Sequence, residues 1–406
     1  MIDTVPSLLH LRALGYSVCI AAVILVAGAL TGEHLVHRRI HALAPLTFSQ
    51  KNQGVVLQQT AFENADLLPL YGSSELVKPI PDKAATFFRR YPTEFEVFPV
   101  GKAGTTSLII LQKLAGVGGD LRGRKVAISL SPSWFLTAQI PPHYYEGNFS
   151  KLQADEFAFC ADLSWELKGD VARRMLHFPT TLARHPMLTF ALHRLAGGSR
   201  LDHTLYALAW PFGRIETAIL RAQDDFETVA FIWEQGRLKN PHHAPHELDW
   251  QNSLLHAAQK VDPDHVRDEE PGGDWQLSES KGDLEFLTNL RLAREWADFE
   301  LLLRTLQESG AEPLLLSMPL NGAWLDRLGV SRAARSQYLT QLRTLAQRYQ
   351  VPLQDFEEHE RDPRFLADHH DHLSIEGWMY YNRALDDFYH NRLARAASTT
   401  PGRVVP

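Results

Sequence analysis

Apolar and polar positions change rhythm several times along this chain, and each change predicts an element. Gly15 to Leu30 (GYSVCIAAVILVAGAL) carries no charge. With its neighbours, from about Leu11 to Gly32, the run is just long enough to cross a bilayer as a helix. From His41 to about Leu68 the texture turns mixed and polar, that of a connector leading from a membrane into a domain. Thr93–Val100 begins by alternating polar and apolar residues, as a half-buried strand does, then runs through Gly101-Lys102-Ala103-Gly104 into a stretch at helical spacing from Leu108. Strand, glycine loop and helix in that order aim backbone N–H groups at an anion. Lys125–Leu130, Glu312–Pro319 and Val351–Phe356 read as further short strands, and Ser336–Tyr349 and Gly377–Tyr389 as helices.

Strands separated by helical segments predict an α/β fold with a mainly parallel sheet, whose site lies beyond the carboxyl ends of the strands. Residues 148–304 interrupt that alternation with helix-like spacing, including Glu216–Trp233 and Glu285–Leu302, and read as a mostly helical insertion. The expected organisation is therefore a membrane anchor with its flanks at 1–40, one domain at 41–396, and a frayed Ser/Thr/Pro-rich tail at 397–406. At the N-terminus an uncleaved anchor competes with a cleaved signal peptide ending at Ala27-Gly28-Ala29. The weakly basic start and the long apolar span favour the anchor.

Composition acts mainly by exclusion. The net charge of -7 over 406 residues, with no run of Lys and Arg, argues against a nucleic-acid partner. Only Cys19 and Cys160 are present and no Cys-x-x-Cys occurs, so a structural zinc site is not expected. His242, His243 and His246 read as an exposed polar loop in preference to a metal set. Neither a metal nor a cofactor is called for.

The chemistry concentrates in Tyr71-Gly72-Ser73-Ser74-Glu75-Leu76 and Asp368-His369-His370-Asp371-His372-Leu373-Ser374. A serine at a tight glycine turn is a candidate nucleophile once an imidazole takes its proton and a carboxylate orients that imidazole. Ser74, second after Gly72, is the better placed serine, and His372 the candidate base. For the carboxylate, Asp368 and Asp371 compete; a residue four back lies on the same side of a turn, which favours Asp368. The N–H groups of Ser74 and Gly104 are candidates for an oxyanion hole, with Ser133 and Asn321 as further donors to substrate. The competing reading of the serine turn is a plain helix cap, with Glu75 in the first turn.

Six segments occur in an order that resembles a known family: Gly72–Leu76, Val100–Gly104, Ser131-Pro132-Ser133-Trp134-Phe135, Gly147-Asn148-Phe149-Ser150, Pro319-Leu320-Asn321-Gly322 and His372–Trp378. Together they look like DltD, the membrane-anchored, SGNH-hydrolase-like protein of the D-alanyl-lipoteichoic acid system. The resemblance implies a three-layer SGNH-like sandwich outside the cytoplasm, with Ser74 as nucleophile, His372 as base and Gly104 in the oxyanion loop. It implies esterification of an anionic envelope polymer with D-alanine. The implied partners are a membrane-bound O-acyltransferase (DltB-like) and a D-alanyl carrier protein (DltC-like). An envelope esterase or thioesterase, and a non-catalytic scaffold for the acyltransferase, are the alternatives. Two positions depart from the family pattern: His369 stands where its Asp-x-x-His has Asp, and Ser133 where its Ser-Pro-Gln-Trp-Phe has Gln.

Overall fold

The computed structural model describes residues 6–235, 247–262, 281–368 and 371–393. Five strands form one sheet: β1 Leu67–Gly72, β2 Glu96–Gly101, β3 Lys125–Leu130, β4 Glu312–Ser317 and β5 Leu353–Gln354. Their order is β2-β1-β3-β4-β5, and every neighbouring pair is parallel. Because a strand's side chains alternate between faces, each strand feeds two cores. Tyr71, Val100, Ile128 and Leu315 face one, packed by the helices Val56–Glu63, Ser107–Val117, Glu295–Ser309 and Arg332–Arg348. Leu70, Val97, Ala127 and Leu316 face the other, packed by Ala84–Arg90, Trp250–Lys260 and Ile375–Tyr389. The result is a three-layer sandwich with a parallel central sheet.

That strand order contains a switch point. The chain steps from β1 outward to β2, then returns to place β3 on β1's other side. The connections after β1 and β3 therefore diverge and leave a crevice beyond their carboxyl ends. Ser73-Ser74 follows β1 and Ser131-Pro132-Ser133 follows β3, so both serine loops open on this crevice.

Several elements differ from expectation. The polar connector after His41 is packed structure: the helices Ser49–Gln53 and Val56–Glu63 follow closely, with Leu57, Gln58, Ala61 and Phe62 buried. Some of its amides look solvated in sequence because they also meet backbone groups distant along the chain, such as Gly101 N–H on Asn52 and the Val117 carbonyl on Gln59. The helix expected at Glu216–Trp233 begins sixteen residues earlier, at Arg200, carrying Pro211 inside it, and is started by a capping box of Ser199 and Asp202. The Glu285–Leu302 stretch is two helices, Gly282–Leu292 and Glu295–Ser309, broken at Ala293-Arg294. The last strand shrinks from six residues to Leu353–Gln354, since it lies at the sheet edge and pairs only with β4. The loops at 241–246 and 269–274, His369, and the tail at 397–406 lie outside the described residues.

Residues Pro6–Leu43 form one helix of 38 residues. Among the described residues no helix is long and apolar enough to cross a membrane; several side chains of the expected span, 21–22, 24–27 and 29–30, lie outside that set.

Candidate functional site

Three glycines give the site its shape. Gly72 and Gly101 face each other in register at the ends of β1 and β2. A Cβ on Gly101 would stand 2.0 Å from the Gly72 carbonyl oxygen, so only glycine permits this approach of the two strand ends. The pairing brings the loop after β2 beside the serine turn after β1. Gly104, in that second loop, has φ +82, where a side chain is strained, and a Cβ there would lie 2.4 Å from Tyr144 Cδ1. Asn148 holds the loop from behind: its amide donates to the carbonyls of Ala103 (3.1 Å) and Tyr144 (2.9 Å), and its oxygen accepts from the Thr105 hydroxyl at 3.0 Å.

The serine turn is a short 3-10 segment, Ser74–Leu76, and Ser73 at its start makes no side-chain cap bond. A side-chain cap at Ser73 is therefore absent, although Glu75 does stand in the first turn. The Ser74 hydroxyl lies 2.8 Å from His372 Nε2, and the residue is half-buried, open enough for a reacting partner. Glu75 folds back beneath the turn, where its Oε1 accepts from Ser73 N–H at 2.9 Å. This carboxyl is fully buried, and burial raises its pKa despite the hydrogen bonds that favour its charged form.

His372 arrives on a small antiparallel tie. Leu366 bridges Leu373, and Ala367 N–H donates to the His372 carbonyl at 2.7 Å. Ser374 then caps the Ile375–Tyr389 helix, its Oγ accepting from Glu376 and Gly377 N–H. The tie sets Asp368 and His372 on one side: Asp368 Oδ2 lies 2.5 Å from His372 Nδ1, and Oδ1 accepts from His372 N–H at 3.4 Å. Asp371 turns elsewhere. Its Oδ2 accepts from the Ser131 hydroxyl and from Ser133 N–H (3.1 Å), which anchors the His372 loop to the end of β3.

The charges follow from this geometry. Burial disfavours the imidazolium of His372, but the hydrogen bond and charge of Asp368 outweigh it and raise its pKa above 6.5. Burial likewise opposes the Asp368 carboxylate, yet His372 and Lys78 hold its pKa well below the usual range. Lys78, whose ammonium pairs directly with Asp368 Oδ2, escaped the sequence reading. The signal was present: Lys78 stands one turn beyond Ser74, and its N–H donates to the Ser74 carbonyl at 3.0 Å.

Of the proposed substrate contacts, Ser133 lies buried beside Asp371. Asn321 follows β4 on the same rim, but its side-chain oxygen is occupied as the cap of Gly322–Arg327, accepting from Trp324 N–H at 3.0 Å. Among the described residues no group of three or more His, Cys, Asp or Glu forms a metal set.

A hydroxyl, an imidazole and a carboxylate in line can pass a proton and form an ester at Ser74 Oγ. Comparison with known proteins identifies the family. A family model described as DltD protein matches residues 45–390, a span that holds all six motif segments. Protein DltD of Bacillus subtilis (strain 168) is 26% identical over 388 residues, covering 91% of this chain and 96% of the relative. Protein DltD of Staphylococcus aureus (strain NCTC 8325 / PS 47) is 24% identical over 347 residues, with 82% and 83% covered. Protein DltD of Lacticaseibacillus rhamnosus is 22% identical over 377 residues, with 85% and 86% covered.

Proposed function

This chain belongs to the DltD family, and from that premise we propose that it is a serine acyltransferase that places D-alanyl groups as esters on an anionic, teichoic-acid-type envelope polymer. The observation that carries the proposal is the 2.8 Å approach of Ser74 Oγ to His372 Nε2, with Asp368 on the opposite ring nitrogen.

The reaction has two halves. His372 Nε2 takes the proton of Ser74 Oγ as that oxygen bonds to the carbonyl carbon of a D-alanyl donor. The N–H groups of Ser74 and Gly104 hold the oxyanion, and the imidazolium returns its proton to the departing donor group. In the second half, an acceptor hydroxyl loses its proton to His372 and attacks the Ser74 ester, and the same imidazolium reprotonates Ser74 Oγ. Asp368 keeps the Nδ1 proton on the ring and stabilises its charge throughout. In this reading the Ser133 hydroxyl and the Asn321 amide would contact substrate. The chemistry requires no cofactor.

In this reading residues 1–40 anchor the chain, and residues 41–396 work outside the cytoplasmic membrane. The partners are a membrane-bound O-acyltransferase, which brings the D-alanyl group across the bilayer, and the carrier protein that supplies it. A serine-directed phosphonate followed by peptide mapping tests the nucleophile: label on Ser74 supports it, and label elsewhere removes it. A Ser74→Ala strain that keeps normal envelope D-alanylation would replace the enzyme with a scaffold. Release of the acyl group to water, with acceptor present and unmodified, would make it an esterase.

A further inference from the structure

The Arg200–Glu234 helix is built inside out. Tyr206, Gly213, Thr217, Asp224, Thr228 and Ile232 form its buried face, so only Tyr206 and Ile232 on it are large and apolar. That face is held by polar contacts: Tyr206 Oη donates to the Ala158 carbonyl at 2.5 Å, and Asp224 Oδ2 accepts from Val55 and Val56 N–H at 2.7 and 3.0 Å. Leu208, Phe212, Ile215, Ile219, Phe226 and Trp233 stand on the opposite side and are 51–82% exposed. They follow one another at steps of four, three, four, seven and seven residues, which puts them in an arc of about 60° along some 38 Å of helix. No charged residue falls in that arc. A helix serving water on its outer side shows the reverse arrangement, and a continuous apolar surface of this length marks a contact surface.

The helix is also continuous with the N-terminal one. A Cβ on Gly32 would lie 3.0 Å from Val229 Cγ2, and one on Gly28 3.5 Å from Phe226 Cζ. At Gly32 the missing side chain lets the helices approach closely, and at Gly28 the Phe226 ring packs at ordinary contact distance. The Pro6–Leu43 helix carries exposed apolar side chains of its own, Leu14, Val18, Ile20 and Val23.

We propose that the outer face of Arg200–Glu234 is a second membrane contact, seated in the acyl-chain boundary of a phospholipid bilayer beside the N-terminal helix. The occupant is lipid and not protein because the stripe offers no charge to fix the register of a partner. A bilayer needs none. The contact holds the body of the domain against the membrane surface, where a lipid-linked or membrane-delivered substrate is presented. The inference rests on the anchoring reading of residues 1–40, and its test separates the two.

The test places a benzophenone amino acid at Ile215, Ile219, Val23 or Gln337, one at a time, in the full chain, and irradiates native membranes. Phospholipid adducts at Ile215 and Ile219, absent at exposed Gln337, are expected. Lipid at Val23 with none at Ile215 or Ile219 would overturn the second contact while leaving the anchor standing. Adducts at Ile215 and Ile219 only to another polypeptide, or to a second copy of the chain, would overturn it in favour of a protein partner. Lipid at Ile215 and Ile219 without lipid at Val23 would uphold the second contact and remove the anchor.

Discussion

The Ser74 hydroxyl and the His372 ring lie 298 positions apart in the chain and 2.8 Å apart in space. Two ends of the fold make that distance. β1 delivers Ser74 to the crevice, and the capped Ile375–Tyr389 helix fixes the tie that carries His372. If the two groups act as one device, Ser74→Ala and His372→Ala should each lower acyl transfer by on the order of 10⁴-fold or more, and the double variant should be no worse than either. Rates of ester formation by purified variants, compared as a cycle, would show this. Additive losses would mean that the two act separately.

The carboxylates divide their work, and their variants should differ in kind. Asp368→Asn removes the acceptor that holds the His372 tautomer, so activity should fall about 10⁴-fold with the fold intact. Asp371→Asn weakens the link from the His372 loop to Ser131 and Ser133, so its first effect should be on stability, about 1–3 kcal/mol. Urea unfolding alongside rate measurement separates them. A larger rate loss for Asp371→Asn than for Asp368→Asn would reverse the roles.

What the sequence revealed here was local, and what it hid was long-range. Strand alternation and glycine loops were legible because each is decided within a few residues, as at Thr93–Gly104. The spacing of Asp368 and His372 was legible for the same reason: four residues fit one turn. Lys78, Glu75 and Asn52 were not, because their functions are set by partners that only folding supplies. The inverted polarity of Arg200–Glu234 was equally hidden. An amphipathic period shows that a helix has two faces but does not say which one meets the protein.

The base must be neutral to accept a proton, so activity should rise with pH through the His372 pKa, at a limb above 6.5. The Lys78 ammonium lowers that value by its charge. Lys78→Met removes the cation, should raise the pKa further and should move the limb to higher pH, with activity recovering on the alkaline side. Asp368→Asn removes the largest raising influence and should move the limb down. Profiles of kcat/KM against pH read both. A downward shift in Lys78→Met would contradict the charge assignment.

Gly104→Ala tests the oxyanion loop. Its φ of +82 and the 2.4 Å approach to Tyr144 require either the backbone or the tyrosine to move. The strain costs about 1–2 kcal/mol, and displacement of the N–H should lower the rate about 10²–10³-fold. KM for a small acyl donor should change far less than kcat, because the oxyanion forms after binding. Parallel changes in both would point to a blocked crevice instead.

The connector into the domain should make stability depend on pH through Lys113. Its ammonium is fully buried and donates to the Asn52 carbonyl, while the Asn52 side chain accepts from Gly101 N–H at 2.7 Å, so the same residue grips the end of β2 that precedes the oxyanion loop. Burial pushes the Lys113 pKa from 10.5 down to about 7, aided by the charge of Lys102. Below about 7 both folded and unfolded chains hold the proton; between about 7 and 10.5 only the unfolded chain does. Stability therefore rises with pH across that window, and the penalty for burying the charge is fully present below it. Lys113→Met lacks this proton, and Asn52 retains its second carbonyl donor, Gln153 Nε2 at 3.0 Å. The wild-type minus variant difference in unfolding free energy should accordingly grow in favour of the wild type from about pH 7 to 10.5. A flat difference would mean that the buried amine meets water, and that the grip on Gly101 is looser than its hydrogen bonds require.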